Sequence, residues 1–186
     1  LHSFPTRRSS DLHIVCAPWP VPSPAVLEKG VACITAADTR WARCDIKSVS
    51  LLANVLLRQQ AFDAGAAETI ILRDGELTDA SASAVHVVIG GELRTPPNSW
   101  KLLPSTTRSV IEELAQRANV PWRSARVTEA ELWGASEICI SAATREVQPV
   151  TRLDDKPVGD GKPGPVFRAL HAAFQWLKRE LASQPW

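Results

Sequence analysis

The amino-acid sequence predicts an α/β domain, a mixed α+β sheet with flanking helices, and three observations carry that prediction. Short apolar runs such as Val85–Ile89 and Ile138–Ile140 have strand length and are bounded by turn-forming residues. Two longer stretches, 106–117 and 165–181, repeat their apolar residues at helical spacing instead. The two patterns are interleaved along 186 residues, enough chain to bury one good-sized core.

In chain order, Pro18, Pro20, Pro22 and Pro24 follow the short apolar run His13–Ala17, so 13–24 predicts a Pro-rich linker or edge strand. Val31–Thr35 and Trp41–Ile46 predict a hairpin-like pair around the Ala36-Ala37-Asp38 turn. Ser50–Ala64 predicts a helix with Gly65 as its left-handed cap. Glu68–Leu72 is the next strand, and Asp74-Gly75 supplies the positive backbone angles of a tight hairpin. Residues 78–83 predict a turn into the strand Val85–Ile89, which Gly90-Gly91 reverses into Glu92–Thr95. A helix is expected from Thr106 or Thr107 to Arg117, with Val110, Ile111 and Leu114 on one face and Ser109 and Glu112 at capping-box spacing. Trp122–Val127 then predicts a strand and Thr128–Leu132 a short helix capped by Thr128. Ile138–Ser141 and Glu146–Thr151 predict two further strands, and Pro165–Leu181 a final helix whose apolar face is Phe167, Leu170, His171, Phe174 and Leu177.

Composition narrows the function. Twenty-one Lys and Arg balance twenty Asp and Glu, for a net charge of +1, so no basic stripe marks a nucleic-acid or membrane partner. The apolar runs are too short to cross a bilayer, which predicts a soluble, cytoplasmic protein. Cys16, Cys33, Cys44 and Cys139 form no Cys-x-x-Cys pair and have no His at ligand spacing, so neither a metal site nor a redox dithiol is indicated. They read as small buried residues in a reducing compartment. The sequence has no Met, which predicts that Leu1 is not a natural start. Residues 1–12 resemble the translated reading of a sequencing adapter and are expected to be a non-native leader, leaving 25–186 as one domain.

Function converges on Arg43-Cys44-Asp45-Ile46-Lys47-Ser48, where apolar alternation gives way to a helical pattern at Leu51, Leu52, Val55, Leu56 and Gln59. A lysine buried at such a strand-to-helix junction loses water from its ammonium, which frees the neutral amine for Schiff-base chemistry. The other reading of Lys47 is a solvated surface lysine. Ser105-Thr106-Thr107-Arg108 opens a helix, whose unpaired N–H groups and positive dipole end suit an anion, or serve only as an N-cap.

The run Arg43–Ser48, followed by Leu51-Leu52-Ala53-Asn54-Val55-Leu56, resembles the segment around the cofactor lysine of the class IV pyridoxal-phosphate aminotransferases, most of all the D-amino-acid aminotransferases. The resemblance covers residues 20–181. It implies the large C-terminal domain of that fold, pyridoxal 5′-phosphate as cofactor, and transamination between a D-amino acid and a 2-oxo acid. Lys47 would be the catalytic residue, holding the cofactor as a Schiff base and later moving the proton. Asp79 falls where the family carries a glutamate in a Thr-Glu-x-x-Ser-Ser-Asn motif, here Thr78-Asp79-Ala80-Ser81-Ala82-Ser83-Ala84. Its implied role is to hold the proton on the ring nitrogen, with roughly 1.5 Å less reach for the missing methylene. Ala84 removes a hydrogen-bonding group. Thr106 and Thr107 are implied phosphate contacts, with Ser105 in place of a glycine and strained if that position needs a positive φ. Leu103 is implied to pack on the cofactor ring. Ala142 and Ala143, in the stretch 141–150, would offer backbone N–H groups as a second anion contact. Arg145 reads equally as a surface residue or a charge at the substrate rim, and His86 and His171 read as structural.

Family members also carry an N-terminal domain that supplies an arginine to the phosphate, a tyrosine and, in the D-specific branch, an Arg-x-His pair. This chain has no tyrosine and little before Lys47, so the resemblance implies a half-site unable to turn over alone. The intact protein is expected to be a homodimer acting on an amino acid and a 2-oxo acid. A branched-chain aminotransferase or an aminodeoxychorismate-lyase-like enzyme would share the Lys47 chemistry. A non-catalytic phosphate-ligand-binding or vestigial domain is an alternative of another class, favoured by Asp79, Ala84 and Ser105.

Overall fold

The computed structural model describes residues 22–183. The expected leader, residues 13–21 of the expected linker and Cys16 lie outside the described residues. The end of that linker is helical: Ser23 caps α1 (Pro24–Lys29), accepting the Val26 N–H, and Pro24 takes the first helical position.

The first strand, β1 (Val31–Ala37), leads through a long loop to α2 (Leu52–Asp63). α2 closes as the sequence predicts. Gly65 takes φ 66°, its N–H bonds Phe62 O at 3.0 Å, and Ala66 N–H bonds Ala61 O at 2.8 Å. The hairpin β2 (Glu68–Arg73) and β3 (Glu76–Ala80) turns on Asp74 and Gly75, at φ 56° and 73°. A second hairpin, β4 (Ala84–Ile89) and β5 (Glu92–Thr95), turns on Gly90 and Gly91. Then come α3 (Thr106–Arg117), β6 (Trp122–Ser124), α4 (Glu129–Trp133), β7 (Glu137–Ala142), β8 (Glu146–Leu153), β9 (Lys156–Pro157) and α5 (Pro165–Ala182). Among the described residues no helix is long and apolar enough to cross a membrane.

The strands form one mixed sheet in the order β3-β2-β1-β8-β7-β4-β5-β6, with β9 on β8. β1 pairs in parallel with both β2 and β8, which joins the two halves of the sheet. One apolar layer gathers Ile70, Leu77, Val85, Val87, Ile138 and Ile140, with Leu132 of α4. The other holds Val88, Leu93 and Val147 against Ile111 and Ala115 of α3 and Phe167 and Leu170 of α5. Glu137 fastens α5 to β7, its carboxylate accepting the N–H groups of Val166 and Phe167 at 3.0 and 2.9 Å.

Four local expectations are corrected. Trp41–Ile46 is a loop, because β2 and β8 occupy both edges of β1 and leave no place for a hairpin partner. Cys44 is buried, its N–H bonded to Trp100 O at 2.8 Å, while Trp41 and Ile46 are exposed. Asp79 stands on strand β3, and the turn spans only 81–83. The cap of α3 is Ser105, whose Oγ accepts Arg108 N–H at 3.2 Å. Glu112 instead bonds Arg108 Nε and Thr95 Oγ1. β6 stops at Ser124, and Val127 is buried in the first apolar layer.

Candidate active site

A cavity of about 810 Å³ lies between the 38–51 loop, α2, the 81–83 turn, the start of α3 and the end of β7. Lys47, Asp79, Leu103, Thr106, Thr107, Ala142 and Ala143 all line it, although they come from four separate segments. The fold therefore brings these seven residues to one concave surface.

Lys47 sits in the loop between β1 and α2, five residues before the helix begins. It is exposed rather than buried, and no hydrogen bond or ion pair ties it to the described residues. The expected desolvation is thus not supplied by the residues around it: Ile46, Val49 and Leu51 are themselves 45%, 95% and 51% exposed.

Asp79 faces the cavity from β3 and receives Arg40 Nη1 at 3.1 Å on Oδ2. Burial raises its carboxyl, and the Arg40 charge and the backbone groups of Ala80 and Leu103 oppose that, leaving it pushed up to about 6. Arg40 is itself gripped by Asp38, Nε to Oδ1 at 3.0 Å and Nη2 to Oδ2 at 3.0 Å. Burial alone would raise the Asp38 carboxyl, but hydrogen bonds and charge from Arg40, with a hydrogen bond from Arg73, outweigh it and hold the group below its ordinary value.

The opposite end suits an anion. Thr106 and Thr107 form the first turn of the twelve-residue α3, and no described residue bonds their hydroxyls. Ser105 has φ −105°, so the strain expected of a non-glycine residue here is absent. Arg145 does not line the cavity; it bonds Ala67 O and Gln148 Oε1 and ties the β7–β8 loop to the sheet. His86 is fully buried beside Ser141, its Nε2 2.8 Å from Oγ, and burial and the Arg108 charge push it down to about 3. A flat ring bearing a phosphate needs an amine, an acid, an apolar shelf and clustered donors. Lys47, Asp79, Leu103 and the α3 start provide these around one space, so the residues fit pyridoxal 5′-phosphate.

The family model for amino-transferase class IV matches residues 3–153. The chain belongs to the class IV aminotransferases. It is 39% identical over 148 residues to D-alanine aminotransferase of Bacillus licheniformis, covering 80% of this chain and 52% of that protein. With D-alanine aminotransferase of Staphylococcus aureus (strain COL) it shares 40% over 149 residues, 80% of this chain and 53% of that one. The branched-chain amino acid aminotransferase of Escherichia coli superposes with a TM-score of 0.76 at 27% identity, over 87% of this chain and 55% of that one. The T.th. branched-chain amino acid aminotransferase solved with pyridoxamine 5′-phosphate gives 0.78 at 25%, over 90% and 56%. The chain spans about half the length of the curated relatives it matches.

Within this class IV aminotransferase chain, sequence reasoning missed Arg40, Asn54 and Glu68. Asn54 Nδ2 bonds Ser81 O at 2.8 Å, and Glu68, buried beneath the same turn, bonds Ser81 and Ser83. A charged Asp-x-Arg triplet directly after a strand was the available signal for Arg40, and it reads from sequence alone as an interruption.

Proposed function

We propose that this chain forms the cofactor-holding part of a pyridoxal-5′-phosphate-dependent aminotransferase that moves an amino group between a D-amino acid and a 2-oxo acid. The observation that carries this reading is the convergence of Lys47, Asp79 and the α3 start on one cavity. The D-specific choice is supported by 39–40% identity to D-alanine aminotransferases, against 25–27% to the branched-chain structures.

Bound pyridoxal 5′-phosphate supplies a protonated pyridine ring that takes up the electron pair released at the substrate Cα. Lys47 Nζ holds the cofactor covalently at rest and, when free, moves the proton at Cα. Asp79 keeps the proton on the ring nitrogen by its charge. The hydroxyls of Thr106 and Thr107, the first-turn N–H groups of α3 and those of Ala142 and Ala143 orient the phosphate. Leu103 excludes water from one face of the ring. Exposed apolar residues Val49, Leu52, Val55 and Phe62 support a homodimer for the intact protein. The free, buried Cys33, Cys44 and Cys139 support a reducing compartment such as the cytoplasm.

The test is to add pyridoxal 5′-phosphate, reduce with borohydride and map the modified peptide. Label on Lys47 is expected, and label on another lysine with Lys47 clean refutes the reading. D-alanine and an L-branched-chain amino acid are then offered separately to the intact, full-length protein loaded with cofactor. Faster conversion of the cofactor to its amine form by the L-substrate would replace the D-specific reading with the branched-chain one.

A further inference from the structure

Arg40 uses nearly all its hydrogen-bonding capacity inside the protein. Its side chain is 5% exposed. Nε and Nη2 form a fork on Asp38, Nη2 also reaches Lys101 O at 2.9 Å, and Nη1 is directed at Asp79 Oδ2 at 3.1 Å. The Asp38 side chain is fully buried, and its Oδ2 is also met by Arg73 Nη2 at 3.0 Å. The guanidinium plane is therefore fixed before Asp79 is considered. Two carboxylates and two guanidinium groups cancel formally, so the cluster is tolerable out of water. Lys47 lines the same cavity, whereas the Lys101 ammonium turns to Asp74 at 3.1 Å.

We propose that Arg40, oriented by Asp38, is a positioning residue that locks the Asp79 carboxylate toward the cavity and keeps it ionised. Its meaning for catalysis rests on the function proposed above. An aspartate at the edge of so wide a cavity can swing about two side-chain torsions, and a cation pinned by a buried fork leaves it one arrangement. The electrostatics point the same way, because burial drives the Asp79 carboxyl upward and Arg40 is the strongest influence opposing it. Without Arg40 the group would carry a proton of its own at neutral pH and could not favour one on a ring nitrogen.

The test uses the whole chain without added cofactor, with aspartate side chains carbon-13 labelled and followed by NMR across pH. Asp79 is expected to titrate near 6 in the wild type. In Arg40→Gln the midpoint should rise by about one unit or more, and in Arg40→Lys, which keeps the charge, by clearly less. An unchanged midpoint in a folded Arg40→Gln overturns the proposal. Should Arg40→Gln not fold, the wild type decides: the Arg40 Nη signals shift with the Asp79 midpoint if the two are coupled, and independent midpoints overturn it. With pyridoxal 5′-phosphate added, Arg40→Gln should weaken binding about tenfold in the otherwise wild-type chain and have little effect in an Asp79→Asn background. A protein in which the Arg40 signals follow the Asp79 midpoint but Lys47 takes no label leaves this coupling standing and refutes the proposed function.

Discussion

The carboxylate of Glu68, on β2, accepts a hydrogen bond from Ser83 Oγ at 2.9 Å and so fastens the turn that borders the cavity to the sheet. Ser81 Oγ bonds the other carboxylate oxygen, Thr69 N–H adds a bond at 3.1 Å, and Arg58 Nη1 lies 3.3 Å away. Glu68 has no exposed surface. Glu68→Ala should therefore strand two hydroxyls and leave a void, lowering stability by about 3 kcal/mol. Because residues 81–83 line the cavity, pyridoxal 5′-phosphate affinity should fall as well. Urea unfolding and cofactor titration of the variant check both effects.

Gly164 is required by close approach rather than by its backbone angle. A Cβ there would overlap Glu137 Cδ, in the carboxylate that caps α5. Gly164→Ala should push that carboxylate off the Val166 and Phe167 N–H groups and cost about 1–3 kcal/mol. A thermal midpoint equal to that of the wild type would show that the cap tolerates the shift.

Lys47 is exposed and bonded to no described residue, so its replacement should separate chemistry from stability. Lys47→Ala should leave the stability measured in urea within about 0.5 kcal/mol of wild type. Borohydride reduction in the presence of pyridoxal 5′-phosphate should then leave no label in the peptide spanning residues 43–58.

Burial pushes the Asp79 carboxyl up to about 6 in the folded chain, above its ordinary 3.8. A carboxyl raised by folding stabilises at low pH, and its contribution disappears as pH climbs through the folded value. Between about pH 4 and about pH 6 the wild type should therefore lose on the order of 2 kcal/mol relative to Asp79→Asn, with no further change above that window. Asp38, held below its ordinary value, acts in the opposite direction at lower pH and is common to both proteins. Denaturation at a series of pH values gives the difference, and a flat line would show that Asp79 does not titrate there.

Hairpins and helix ends were legible because their chemistry is local. Asp74-Gly75, Gly90-Gly91 and the Thr128 cap each act within a few residues, and each lies where its sequence places it. Trp41–Ile46 misled because apolar alternation cannot report that both edges of the neighbouring strand are already taken. α1 was hidden by prolines that look like linker, although Pro24 occupies the first helical position, where the N–H has no partner within the helix. Lys47 and the α3 start were marked by their place at the openings of helices, Asp79 and Leu103 only by a resemblance, and the fold brings all of them to one cavity. Arg40 was beyond reach, since its partner Asp79 is 39 residues away and nothing local says the side chain turns inward. At Ser105 the sequence could not reveal a negative φ, and with it an ordinary cap in place of strain.

The parallel pairing of β1 with β8 bears on how this chain reaches its native state. Thr35 N–H meets Asp154 Oδ1 at 2.7 Å across 119 residues of sequence, so the two halves of the sheet close only after a long loop has been gathered. Contacts of that range form late, because the loop must be closed before they contribute. Lys47 and Asp79 stand on one side of that seam and Ala142 and Ala143 on the other. A ligand touching all four recognises only molecules in which the seam has closed, and its binding energy is added to the free energy of folding. Occupancy of the cavity thereby becomes a reporter of completed folding, and a cofactor present during refolding should raise the yield of native chain.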